Sequence, residues 1–130
     1  MESVSAYGVL VLLALLQVKH AIGDGPLQTS RMVHEKGLYG KRGGLVHAAI
    51  HGTGTFLALL IFGLALLPAL ALAAVEAVVH YHVDFFKESL ARRNGWTQDK
   101  AVFWWALMGD QLMHQLTYLA IAFAVIRLAG

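Results

Sequence analysis

The sequence predicts an all-α fold: a polytopic membrane protein whose four transmembrane helices form one bundle, with the N- and C-termini both outside. Three observations predict it. Hydrophobic residues make up 58% of the 130-residue chain and charged residues only 14%, against about 45–50% and about 25% in soluble domains. The apolar residues come in long runs, near the roughly 20 residues that carry a helix across a hydrocarbon core. Nine of the ten lysines and arginines fall in or beside two connections between those runs, the bias that marks cytoplasmic loops.

The first span covers about residues 4–22. Met1 to Ala6 carry Glu2 and no basic residue, so the positive start of a cleavable leader is missing. No small-x-small cleavage site precedes a polar chain either, and the segment reads as a retained span. The second span (about 45–67) and third (about 69–86) meet at Leu67-Pro68-Ala69. Pro68 cannot donate to the preceding turn, so a tight hairpin is expected there. The fourth span covers about 102–128. Two polar connections remain, about 24–44 and about 87–100, the second with an Asn94-Gly95 turn.

Four spans put both connections on one face. Lys19, Arg31, Lys36, Lys41 and Arg42 belong to the first connection or its edge, and Lys87, Arg92, Arg93 and Lys100 to the second. Only Arg127 lies at the other side, so the loop face is expected to be cytoplasmic. Trp96, Trp104 and Trp105 suit an aromatic belt at that interface. The length allows a single transmembrane domain, residues 1–130. The basic balance, net +2 with a pI near 9.1, reads as a topology signal and not as a nucleic-acid surface. Without cysteine, disulfides, thiolate zinc sites and iron–sulfur clusters are excluded.

Ionisable groups inside a bilayer are costly and functional by default, and here every span carries them. The first ends with Gln17, His20 and Asp24, followed by Gln28; the second opens with His47-x-x-x-His51. The third carries Glu76-x-x-x-His80-x-x-x-Asp84 and the fourth Asp110-Gln111-x-x-His114, with Tyr118 one turn further on. A step of four residues turns a helix by about 40° and rises about 6 Å, so each pair shares a face. Antiparallel topology then sets all four pairs at one depth, roughly 5–15 Å below the interface. A lone histidine in a membrane helix is an interhelical hydrogen bonder more often than a ligand; four pairs at one depth favour a ligand set. His82 faces away from His80, and His34 sits in the loop.

Charge favours a metal. Asp24, Glu76, Asp84 and Asp110 put four carboxylates in a low-dielectric layer, with no lysine or arginine expected deep in any span. One or two divalent ions would offset them, and imidazole with carboxylate suits zinc, iron or manganese. The expected ligands are His20, Asp24, His47, His51, His80, Asp84, Asp110 and His114. Gln17, Gln28, Gln111 and Tyr118 would orient them, and Glu76 is the candidate catalytic base.

The run His20-Ala-Ile-Gly-Asp24 with Gln28, then His47 and His51, His80-x-x-x-Asp84 and Asp110-Gln111-x-x-His114 resembles a family of unknown function. It comprises small bacterial and phage four-helix membrane proteins with a His-x-x-Gly-Asp motif and a late Asp-Gln-x-x-His. The resemblance implies four spans, a bacterial inner-membrane location and importance of these polar positions. It departs at Gly25-Pro26, where the family usually has an aromatic and an aliphatic residue. Weaker similarities are to membrane-bound metal-dependent hydrolases and, through His47-x-x-x-His51, to membrane di-iron desaturases.

The leading functional expectation is a metal-dependent hydrolase acting on a membrane lipid or lipid-linked substrate at the inner leaflet. Transport of a metal or proton through the same groups is the alternative, and with only four helices it requires a homo-oligomer. Haem ligation by two histidines and a structural or partner-binding role complete the set.

Overall fold

The computed structural model describes residues 4–129. Its helices are α1 (Ala6–Asp24), α2 (Ser30–Glu35), α3 (Arg42–Phe62), α4 (Leu66–Arg93) and α5 (Ala101–Ala129), and no strand occurs among the described residues. All but α2 are long and apolar enough to cross a membrane. The Ser5 hydroxyl caps α1 by accepting from Gly8 N at 3.0 Å, and Thr29 caps α2 by accepting from Met32 N at 3.2 Å, each satisfying an amide that a helix start leaves free.

Three boundaries differ from the sequence expectation. The hairpin between the second and third spans turns at Gly63, not at Leu67–Ala69. Gly63 takes φ +100°, and Leu64 N bonds Leu59 O at 3.0 Å, a left-handed helix end that glycine adopts without strain. Pro68 falls in the first turn of α4, where helix amides have no partner to lose. The third span continues to Arg93 because nothing interrupts it before Asn94-Gly95, where Gly95 has φ +62°. Finally, the first connection is not all loop, since it contains α2.

Around the bundle the order is α1, α3, α4, α5, with α5 closing on α1 through the thinnest contact and α2 lying on α3. Gly52 lets α3 and α4 approach, since a β-carbon there would meet the Ala77 Cβ at 2.8 Å. Gly54 instead leaves room for the Lys19 side chain. The turn end of the bundle is packed by Leu12, Leu16, Leu59, Ala69, Ile121 and Val125. Large apolar side chains such as Leu10, Ile61, Leu67, Trp105 and Phe123 cover the outside. The buried imidazoles and carboxylates lie between that apolar end and the loops, so polarity is inverted relative to a water-soluble bundle.

Candidate metal centre

The end of α1, the first half of α3, the second half of α4 and the first half of α5 deliver the site. His51, Asp84 and Asp110 each stand about nine residues, or ~14 Å, from the loop end of their helix. Five imidazoles point their Nε2 atoms at two aspartates. On one side, Asp24 Oδ1 lies 2.9 Å from His51 Nε2 and 3.2 Å from His47 Nε2, and Asp24 Oδ2 lies 3.1 Å from His20 Nε2. On the other, Asp84 Oδ1 lies 3.1 Å from His114 Nε2, and Asp84 Oδ2 lies 3.3 Å from His47 Nε2 and 3.4 Å from His80 Nε2. Asp110 Oδ1 approaches His114 Nε2 at 3.2 Å.

The rings of His51, His80 and His114 form a stack, with centroids 3.8 and 4.0 Å apart. Stacking side by side is what brings their nitrogens to one place. Two groups of ligand atoms each lie within 4.8 Å of one another: Asp24, His47, His51 and His80, and then His80, Asp84 and His114. His80 belongs to both. His47, His51, His80 and His114 are at most 1% exposed, whereas the Asp24 side chain is 24% exposed. Asp24 is thus the outermost member.

The outer faces of the rings are held as well. His20 Nδ1 meets the Tyr118 hydroxyl at 2.6 Å, and His20 Nε2 also meets Gln111 Oε1 at 2.9 Å. Glu76 Oε1 lies 3.4 Å from His80 Nδ1, behind the ring and away from the convergence, while Glu76 Oε2 accepts from Thr55 at 3.4 Å. Gln28 donates to Asp24 O at 2.9 Å, and Gln17 donates to Gln115 across the α1–α5 seam. His82 is outside the centre, bonded to Tyr39 Oη at 3.0 Å and Val78 O at 2.7 Å.

Sequence reasoning missed three residues. Lys19 was expected at a loop edge, with no cation deep in any span. Instead its ammonium is buried, 3.2 Å from Glu76 Oε1, 3.2 Å from His51 O and 4.6 Å from the centre of the Tyr118 ring. It faces inward because Gly54 leaves room for it on α3, and its four-carbon stem carries the charge into the bundle. Lys36, expected to be a topology-setting loop residue, folds down to 3.2 Å from Asp84 Oδ2. No local pattern announces it; only the fold of α2 over the bundle brings it there. The third is Gly23, the glycine of His-x-x-Gly-Asp. A β-carbon at Gly23 would sit 2.6 Å from His51 Nε2, so the bare α1 backbone makes room for that ring.

These lysines change the charge balance. Four carboxylates against two ammonium groups leave two negative charges if the imidazoles are neutral, the charge of one divalent ion and not two. The donors suit such an ion on their own evidence, since the Nε2 atoms of His47 and His80 face each other at 3.4 Å beside Asp24 and Asp84. Two imidazole nitrogens turned toward one another need a proton or a cation between them, and imidazole plus carboxylate is a transition-metal donor set.

The fold and this centre together define a class: a bundle of four helices able to cross a membrane, built around buried imidazoles and carboxylates. Within that class, the chain belongs to the family described as Protein of unknown function (DUF3307), whose model matches residues 11–129. No curated protein and no solved structure matches it. Gly25-Pro26 ends α1 directly after Asp24, with Gly25 N bonded to Ala21 O at 2.9 Å.

Proposed function

We propose that this chain is an intramembrane metal-binding protein and, more specifically, a metal-dependent hydrolase of a lipid or lipid-linked substrate at the cytoplasmic leaflet of a bacterial cell membrane. One observation carries the reading: five buried imidazole Nε2 atoms converge on Asp24 and Asp84, those of His47 and His80 only 3.4 Å from each other. His47, His51, His80 and Asp24 would hold one zinc, iron or manganese ion. Such an ion supplies a water of lowered pKa and polarises a phosphoryl or acyl oxygen.

Asp24, the most exposed of the group, marks the side on which a water reaches the centre. Tyr118 fixes the His20 ring, and the place of Glu76 behind His80 suits orienting that ring more than attacking a substrate. The lipid part of the proposal draws on a groove of about 540 Å³ between α4 and α5. Phe86, Leu90, Trp105 and Met113 line it, and it reaches Lys87 and Asp110. An acyl chain from the surrounding membrane fits that apolar lining, with its polar head directed toward the carboxylate that pairs with His114. Orientation rests on charge: with Lys19 and Lys36 buried in the centre, seven basic residues remain at the loop end against Arg127. The apolar packing beyond Tyr118 supports a site closed at the turn end and gives no help to a conduction path. Imidazole rings already in stacking contact weigh against a haem between them.

Elemental analysis of the protein purified in mild detergent tests the metal, and phospholipid hydrolysis in vesicles with and without a chelator tests the reaction. The expected result is close to one transition metal per chain, lost in His80→Ala, with hydrolysis abolished by the chelator. A metal-free protein, or hydrolysis indifferent to chelation, overturns the reading.

A further inference from the structure

The α1–α3 connection lies over the loop end of the bundle, and α4 holds it there. Gly40 N donates to Tyr81 Oη at 2.7 Å, and Arg92 donates to His34 O. Within the connection, Glu35 Oε2 accepts from Gly43 N at 2.5 Å and Glu35 Oε1 accepts from Arg31 at 2.8 Å. These bonds, Arg31 first, hold the Glu35 carboxyl below its ordinary range and fix the end of α2. From that end Lys36, only 8% exposed, descends to Asp84.

The oxygen it meets, Asp84 Oδ2, is also the one that faces His47 and His80, at the edge of the His80–Asp84–His114 group. A cationic ammonium therefore already neutralises the Asp84 carboxylate on which a second ion beside His114 would depend. Two bound divalent ions would bring four positive charges to a centre that, with Lys19 and Lys36 in place, has two negative charges to offset.

We propose that Lys36 is a built-in cation that fills the second position of a potentially binuclear centre and fixes the resting content at one metal per chain. Its withdrawal opens Asp84, His114 and Asp110, whose Oδ1 faces His114 Nε2 at 3.2 Å, to a second divalent ion, with His80 Nε2 kept by the first. The lysine is the right residue for this, because it reaches from a loop and not from a packed helix. Its ammonium is also a compact charge on a flexible stem. The inference rests on the metal reading above.

Manganese stoichiometry, measured by elemental analysis after saturation and desalting, tests it in wild type, Lys36→Met, Lys36→Gln and Lys36→Arg. The expected ratios are one for wild type and Lys36→Arg, and two for Lys36→Met and Lys36→Gln. A spin-coupled manganese pair should be visible by electron paramagnetic resonance only in the last two. Adding His114→Ala to Lys36→Met should restore a ratio of one, which places the second ion. A ratio of one in both neutral variants, or of two in wild type, overturns the role of Lys36 and leaves the metal centre standing. No metal in any variant overturns both.

Discussion

Replacing Gly23 by alanine adds a single carbon, and the structure says where it goes. The new Cβ would lie 2.6 Å from His51 Nε2 and 2.7 Å from its Cε1, whereas ordinary contact begins near 3.4 Å. The ring must therefore retreat by about 0.8 Å, the difference between 2.6 and 3.4 Å. Overpacking of this kind costs about 1–3 kcal/mol, and alanine in place of glycine in a helix returns about 1 kcal/mol. Net stability should fall by no more than about 2 kcal/mol. Metal binding should respond far more, because metal–nitrogen bonds near 2.0–2.1 Å tolerate displacements of only about 0.2 Å. Disturbing even the partners of ligands costs roughly 10–100-fold in affinity, so displacing a ligand should cost at least that. Competition against a chelator of known affinity measures the effect, and thermal unfolding of the metal-free protein gives the control. An alanine variant that binds metal within threefold of wild type would refute the assignment of His51 as a ligand.

Two further changes probe the surroundings. Lys19→Met strands Glu76, which is 1% exposed, and losing one partner of a buried ion pair costs on the order of 3–5 kcal/mol. The double variant Lys19→Met/Glu76→Gln should recover most of that loss in denaturant unfolding, and a double variant as unstable as the single one would argue against the pair. Gly109 has open space where a β-carbon would go and lines the α4–α5 groove. Gly109→Phe should therefore fill the groove, cutting turnover of vesicle phospholipid at least tenfold with metal content unchanged. Unchanged turnover would remove the groove from the substrate path.

The helices and the spacing of the buried histidines and carboxylates were legible because both are local. A run of about 20 apolar residues is a span in any context, and His47-x-x-x-His51 or Glu76-x-x-x-His80-x-x-x-Asp84 share a helix face by geometry alone. The common depth followed from antiparallel order. What escaped was long-range. Lys19 lies next to His20, but whether a lysine at a span's end turns to water or inward is decided by the room that Gly54 leaves on α3. Lys36 reaches Asp84, 48 positions away, through a loop path that no periodicity encodes. Gly23 was visible as part of a motif, yet its reason is a ring on another helix. The turn at Gly63 was misplaced because Pro68 is the stronger sequence signal, although its position in the first turn of α4 makes it harmless there.

The position of the centre on the loop side of the apolar turn end has a physical rationale that ties these features together. At the turn end, α1, α3, α4 and α5 meet through leucine, alanine and valine packing, where a buried carboxylate would have neither water nor a cation within reach. At the loop end a side chain can arrive from outside the four helices, and Lys36 does so. Asp24 can keep part of its surface exposed there because α1 stops at Gly25. Four carboxylates are thus tolerated by two lysines, one from within the bundle on Glu76 and one from a loop on Asp84, and the proposed ion would offset the remaining charge. Moving the same residues two turns deeper would remove Lys36 from reach and leave three charges to offset.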